Sequence, residues 1–345
     1  MIPLLRLLNL DLETVALIDD YESLYYEEKY SDIGTCSLIM PTSSENFKLI
    51  NKDMILYLDM FHCWYIEEIV IDKDIATITA LNLAFIFSHR VTVPLKGNTH
   101  LTCKKMLSGD VIKYLIDKTL ISSTDKNRNI PLKIINSENI GHIINFESRY
   151  KNLLSEIQSI CSYSAIGFRM GIDLKNKDFI FEIYNGRDLS LEMVFSEYYD
   201  NLEDIKIVDS NSDYKNLVYI AGQGQGIDRK ILTLGDSNKK GWLRREEIKD
   251  ARDKELEEDL VLEGETFLSE KSIKTSIEIV IVNNEEVEIG DIVTVLTSKY
   301  GYKFTQRIVE KNVEYTTENG KVVGVIIGNP KPSFSFNKDK NSEIE

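Results

Sequence analysis

The sequence predicts a mainly β protein with an α+β insert, in which two related β-barrel domains flank a small helix-containing middle domain. Three observations carry this reading. Short runs rich in β-branched and aromatic residues, broken by Asp, Gly and Asn, fill residues 1–97 and return after residue 201. Between them the apolar residues recur at the spacing of a helix. In addition, Asn51 to Leu58 resembles Ile289 to Leu296 in shape. In each, an aspartate (Asp53, Asp291) opens a strand, and an aromatic-containing strand ending near a glutamate (Glu67, Glu310) follows.

In the first domain (1–97), the runs Leu5 to Leu10, Val15 to Ser23, Thr35 to Met40, Asp53 to Leu58, Cys63 to Ile71 and Ala76 to Asn82 read as strands. Asp72-Lys73-Asp74 is a turn between the last two. Leu83 to Arg90 reads as a short helix closing the unit, and Pro94, Gly97 and Asn98 mark the boundary. In the middle domain (98–200), Met106, Leu107, Val111, Leu115, Ile116 and Leu120 predict a helix over Lys104 to Leu120, with Gly109 against it. Tyr150, Leu153, Leu154, Ile157, Ile160 and Cys161 predict a second, with Ser148 as its N-cap. A hairpin of Gly167 to Met170 and Phe179 to Tyr184 follows through Asp173 to Lys177.

The third region (201–330) reads as strands interrupted by a charged, partly helical stretch from Arg244 to Lys271. Its later strands are Ile277 to Val282, Ile292 to Leu296, Phe304 to Val309, Asn312 to Thr316 and Lys321 to Ile327. Glu318-Asn319-Gly320 is a tight-hairpin signal, because Asn-Gly readily takes the positive φ of a type I′ turn. Pro330 and Pro332 close the fold, and residues 331–345 are expected to form a disordered tail.

Composition narrows the function classes. The 345 residues carry 41 Lys+Arg against 56 Asp+Glu, a formal net charge of −15 that repels a phosphate backbone and argues against nucleic-acid binding as the main task. Hydrophobic content is 43%. Mean hydropathy is −0.20. No run reaches the roughly 18 apolar residues of a membrane helix. Met1 to Leu8 lacks the basic region and cleavage site of a signal peptide, so assembly in a cytoplasm is expected.

No chemistry-bearing constellation stands out. Cys36, Cys63, Cys103 and Cys161 form no C-x-x-C pair and are expected to be reduced, buried thiols. His62, His89, His100 and His142 form no ligand pair, so no metal is expected. Cys161 sits on the apolar face of its helix, which favours packing over nucleophilic work. The neighbours in Glu67-Glu68 and Asp19-Asp20 point to opposite faces of a strand and make no acid–base couple. No G-x-S-x-G elbow is present. These readings imply no enzyme and no cofactor.

The most informative stretch runs from Asn216 to Asp253. Gly222, Gly224 and Gly226 are spaced G-x-G-x-G, and Ile227 stands where a dinucleotide fingerprint needs glycine. Arg229 to Leu234 then reads as a strand, so the glycines form a structural turn of tight, positive-φ backbone. Gly241-Trp242-Leu243-Arg244-Arg245-Glu246 and Asp250-Ala251-Arg252-Asp253 come next. In this order and spacing the three segments resemble the tail hub proteins of phages and phage-tail-like bacteriocins. That family shows acidic residues between the glycines where this chain has Gln223 and Gln225. The resemblance extends to Tyr30 with Gly34, His89-Arg90, Tyr150 to Phe168, Tyr184 to Asp188, Phe195 with Asn201, Tyr214 to Asn216 and Ile289 to Asp291.

The resemblance implies a homotrimer whose two barrels per chain give a pseudo-six-fold ring. Such a ring joins a six-fold tail tube to a three-fold spike or fibre beside other baseplate proteins, with DNA at most passing through the lumen and no membrane involved. It places the chain in a virion tail or tail-like particle. Arg229, Arg244, Arg245 and Arg252, with Glu246, Asp250 and Asp253, are candidate subunit-interface ion pairs. The alternative is pairing within the chain, worth roughly 0–1 kcal/mol per exposed pair. The rival functions are a carbohydrate- or receptor-binding tail protein and a peptidoglycan hydrolase. Trp64 and Trp242 are too few and too separated in sequence to favour the first.

Overall fold

A computed structural model describes residues 2–328 apart from 136–138, 255, 282–286, 298, 300 and 319. The expectations for Val282, Asn319, Pro330, Pro332 and the tail lie outside the described residues. The first region supplies β1 (Leu5–Leu8), β2 (Thr14–Ile18), β3 (Ser23–Lys29), β4 (Thr35–Pro41), β5 (Ile55–Tyr57), β6 (Cys63–Asp72) and β7 (Ile75–Asn82). The middle supplies β8 (Leu101–Leu107), α1 (Ser108–Ile116), β9 (Leu132–Ile134), β10 (Ile143–Ser148), α2 (Leu153–Ser164), β11 (Gly167–Asp173) and β12 (Asp178–Tyr184). Then come β13 (Val194–Ser196), β14 (Leu202–Ser210), β15 (Leu217–Ala221), β16 (Ile231–Gly235), β17 (Glu246–Asp250) and α3 (Glu257–Glu270). The chain ends in β18 (Lys274–Ile281), β19 (Ile292–Thr297), β20 (Tyr302–Thr316) and β21 (Gly320–Gly328).

Strict alternation makes the long strands two-faced. In β4, Cys36, Leu38 and Met40 are buried while Thr35, Ser37 and Ile39 are not, and β7 buries Ala76, Ile78 and Ala80 in the same way. These side chains pack with Leu24, Tyr26 and Trp64 into one core. Ile277, Ile279, Val293, Val295, Ile308 and Ile327 form its counterpart in the second half. The middle core, built on Ile112, Leu115, Ile157, Phe168 and Phe181, also takes in Leu8, Ile55, Cys63, Leu83 and Phe87. Packing is therefore continuous across residue 97.

The main sheet has 13 strands in the order β14-β18-β21-β20-β3-β4-β7-β6-β5-β1-β2, with β19 on β20 and β13 on β19. The two β halves meet at one seam, where Glu310–Thr316 of β20 runs antiparallel to Lys29–Ser23 of β3. Among the described residues the path stays open at β14 and β2, so the two expected barrels do not appear as separately closed strand rings. The cause is the seam, which joins the first half to the second instead of closing either on itself.

The halves repeat one another. The strands β3, β4, β5, β6 and β7 recur as β14, β18, β19, β20 and β21, with the same chain order and the same neighbours. β6 shifts register between Ile66 and Glu68, and β20 does so between Ile308 and Glu310. Each shift anchors the preceding turn. Asp53 N–H donates to Ile66 O and Ile66 N–H to Met54 O; Gly290 N–H donates to Ile308 O and Ile308 N–H to Asp291 O. Asp53 (φ 65°) and Gly290 (φ 96°) both take positive φ. They are the equivalent residues, one position away from the match of Asp53 with Asp291 suggested by sequence. The repeated feature is a backbone conformation, which Asp fills once and Gly once. The halves differ most between their first two strands, where a turn at 30–34 is replaced by an excursion over 211–273.

Several expected boundaries move. Residues Leu101–Leu107 are not helical; they pair with β10, burying Leu101 and Cys103, and the helix begins only at Ser108. Asn152, not Ser148, caps α2, accepting the Ser155 N–H at 3.2 Å, while Ser148 bonds Thr92 at 2.7 Å. Glu246–Asp250 is a strand parallel to β15, and Phe304 to Thr316 is one bulged strand rather than two. The four cysteines are free and buried.

Candidate assembly surface

The excursion folds as the small sheet β16-β15-β17 under α3. Val218, Ile220, Leu232 and Leu234 pack on Leu260 and Phe267. Gly264 of α3 lies so close that a Cβ there would sit 2.4 Å from Leu234 Cδ1. Helix and sheet can approach this way only over glycine.

The glycine loop connects β15 to β16. Gly224 (φ 102°) and Gly226 (φ 54°) take positive φ; Gly222 does not. Arg229 folds back over the loop, donating from Nε to Gly222 O at 3.1 Å and from an Nη to Ala221 O at 2.8 Å. It also pairs with Asp250 Oδ1 at 3.0 Å, and Arg252 approaches Asp250 Oδ2 at 3.4 Å. Ala251 N–H donates to Ala221 O at 2.9 Å. The glycine segment, its arginine and the Asp250–Asp253 segment thus form one hydrogen-bonded unit. Replacing Arg229 with alanine is expected to cost about 1–3 kcal/mol. Hydrogen-exchange mass spectrometry should show faster exchange confined to residues 222–235 and 250–252.

The remaining candidate ion pairs also find partners within the chain. Arg244 pairs with Glu246, which accepts from Tyr219 Oη at 3.1 Å. Arg245 donates to Asn211 O and lies over the Tyr214 ring at 5.9 Å. Asn216 accepts the Arg245 N–H at 3.0 Å and donates to Leu243 O at 2.7 Å. Asp253 reaches Lys151 of the middle domain at 3.0 Å. Apolar side chains are left outside this network: Ile227, Ile231, Trp242, Leu243 and Ile248 are all exposed. Nothing in the sequence pattern distinguishes them from core residues.

A second constellation joins segments far apart in sequence. Arg187 grips Asp291 with Nε at 3.1 Å and an Nη at 2.6 Å, and Asp291, 2% exposed, also accepts the N–H groups of Arg187 and Glu288 at 3.0 Å. Burial opposes the charge on Asp291, but these bonds outweigh it and hold the carboxyl below its ordinary range. A Cβ on Gly186 would meet Gly290 O at 1.8 Å. Tyr30 donates to Ala165 O and Tyr184 O, at 3.3 and 3.2 Å, beneath the Arg307 guanidinium at 4.7 Å from its ring.

The chain matches the family described as Siphovirus ReqiPepy6 Gp37-like protein over residues 4–329. It belongs to that family. No curated protein sequence matches it. Among solved structures it is similar to the prophage MuSo2 43 kDa tail protein from Shewanella oneidensis, with 11% identity, a TM-score of 0.61, and 95% of this chain and 98% of that one covered. It is also similar to the prophage tail protein gp18 from Listeria monocytogenes EGD-e, with 14% identity, a TM-score of 0.56 and 95% of each chain covered. A tail protein from Neisseria meningitidis MC58 shares 11% identity at a TM-score of 0.56, with 94% and 96% covered. The fold is thus that of these phage tail proteins.

Two further features of this Gp37-like chain involve the first β half. One is a cavity of about 630 Å³, lined by Ile55, Tyr65, Leu83, Phe85, Met170 and Phe179, with Asp53, Glu67, His89 and Arg90 among its polar residues. Tyr65 stacks on Phe85 at 4.5 Å and bonds Asp53. The other is His62, held by Asp59 at 2.7 Å and Glu28 at 3.2 Å, with Lys311 3.9 Å from Glu28. Burial disfavours its charge, yet the bonds and charges of Asp59 and Glu28 outweigh that cost and lift its pKa to about 9. Among the described residues no group of three or more His, Cys, Asp or Glu gathers to hold a metal. Among the described residues no helix is long and apolar enough to cross a membrane.

Proposed function

We propose that this tail protein is a hub: a homotrimer whose two barrel-type halves, residues 1–97 and 201–330 around the 98–200 domain, make a pseudo-six-fold ring. The observation that carries the reading is the repeated five-strand unit with its single seam. In the seam, β3 of the first unit meets β20 of the second. The equivalent edges, β14 and the outer half of β6, have no neighbour within the described chain. Pairing them between copies continues the seam around a closed ring of three chains and six units, a symmetry match to a six-fold tube and a three-fold spike or fibre.

The repeat also supplies the register. Transferring the seam pairs Glu310↔Lys29, Asn312↔Glu27 and Glu314↔Tyr25 onto the free edges sets Glu68 opposite Ser210, Val70 opposite Val208 and Asp72 opposite Lys206. The valines and the Asp–Lys pair are complementary. The sheet face away from the core carries Glu27, Glu68, Glu278, Glu310 and Glu314 with Lys29 and Lys206. As the lumen wall, that acidic excess lets DNA pass without adhering. The protein is not an enzyme in this reading. It is assembled in the host cytoplasm, contacts the tube, the spike or fibre and other baseplate proteins, and is carried in the tail.

A Val70→Cys/Val208→Cys chain tests the register. Oxidation should yield a covalent trimer on a denaturing gel, because closure uses each cysteine once. Monomers alone, or a ladder that runs past three, would contradict the ring.

A further inference from the structure

We infer that the open aromatic cavity at Tyr65 and Phe85 receives Trp242 from a second copy of this chain. The inference rests on the ring reading and goes beyond it by naming an anchor and its socket. The repeat carries the first step. In the second half, the site beside Gly290 and Arg307 is filled by Tyr30, the residue that follows β3; a Cβ on Gly290 would lie 2.7 Å from the Tyr30 ring. The equivalents of Gly290 and Arg307 in the first half are Asp53 and Tyr65, and there the cavity stands open.

The segment due to fill it follows β14, the equivalent of β3. That segment is the root of the excursion, at Asn211. Asn211 O holds Arg245, and Asn216 holds Leu243 O, so the Gly241–Leu243 turn is tied to the root. Setting Ser210 opposite the neighbour's Glu68 therefore brings this turn to the cavity rim, where Glu67 and Asp53 stand. Trp242 at the turn is 99% exposed, whereas Trp64, in the core, is 2% exposed. Lys240 precedes the turn and is opposite in charge to Glu67 on the rim. A tryptophan closed into an aromatic and aliphatic pocket is the kind of anchor that dominates an interface.

The test uses full-length chains. A Trp242→Cys chain mixed with a Glu67→Cys chain should give a two-chain product with a short bis-maleimide, and neither variant should do so alone; the native cysteines are buried. Trp242→Ala should raise the concentration at which half the chains are trimeric by at least about tenfold. At a concentration where wild type is also monomeric, its melting temperature should stay at the wild-type value. A Trp242→Ala chain that trimerises like wild type, with no 67–242 product while the 70–208 disulfide still forms, would overturn the socket and leave the ring. A wild-type chain that stays monomeric, with neither cross-link, would overturn both.

Discussion

Replacing Asp291 with alanine is expected to destabilise the fold by about 1–3 kcal/mol. The carboxylate is 2% exposed and takes two bonds from the Arg187 side chain and two from backbone N–H groups. Removing it leaves the Arg187 and Glu288 N–H groups without their acceptor in a place where water cannot fully replace it. The position also matters. Asp291 sits on the turn before β19, and Arg187 follows β12, so the contact fastens the middle domain to the second β half. Gly186→Ala strikes the same junction by steric means, since its Cβ has no space against Gly290. Urea unfolding followed by near-ultraviolet circular dichroism would measure the change. A midpoint within error of wild type for Asp291→Ala would show that the junction contributes nothing.

The second large effect is a loss of stability in mild alkali. The His62 pKa is raised from an ordinary 6.5 to about 9, so its contribution is fully present below pH 6.5 and is lost as pH rises towards 9. The loss is of order 2–3 kcal/mol across that window. Asp59 is shifted the other way: burial raises it, the His62 bonds and charge lower it further, and it reaches about 2. Its contribution is therefore present above the ordinary carboxylate range and is lost as pH falls towards 2. Thermal unfolding should show a decline above pH 6.5. His62→Gln should flatten the alkaline side. A wild-type profile that does not change between pH 6.5 and 9 would contradict the buried, charged histidine.

The first β half was legible because β4 and β7 alternate cleanly between buried and half-exposed positions. The middle hairpin was legible from two apolar runs on either side of Asp173 to Lys177. What failed was pairing between distant segments. β8 carries Met106 and Leu107 at helical spacing, yet a partner about forty residues away makes it a strand. β17, Glu246 to Asp250, has the composition of a solvated helix and is a strand because β15 offers it a parallel edge. The glycine motif showed where a special backbone was needed. It did not show that Arg229 and Asp250 would close over it, since that contact joins residues 21 positions apart. Local pattern likewise cannot show that Trp242 is exposed and Trp64 buried, or that a cavity opens beside Tyr65. The echo between Asn51–Leu58 and Ile289–Leu296 was the most productive sequence signal. It was displaced by one residue because the repeated feature is a positive-φ turn, not an aspartate.

The ring is tested most directly by the solution mass of the purified chain, measured by light scattering across a range of concentrations. The account predicts a mass near 119 kDa, three times the 39.6 kDa chain. A stable dimer, or a monomer at every concentration, would contradict it.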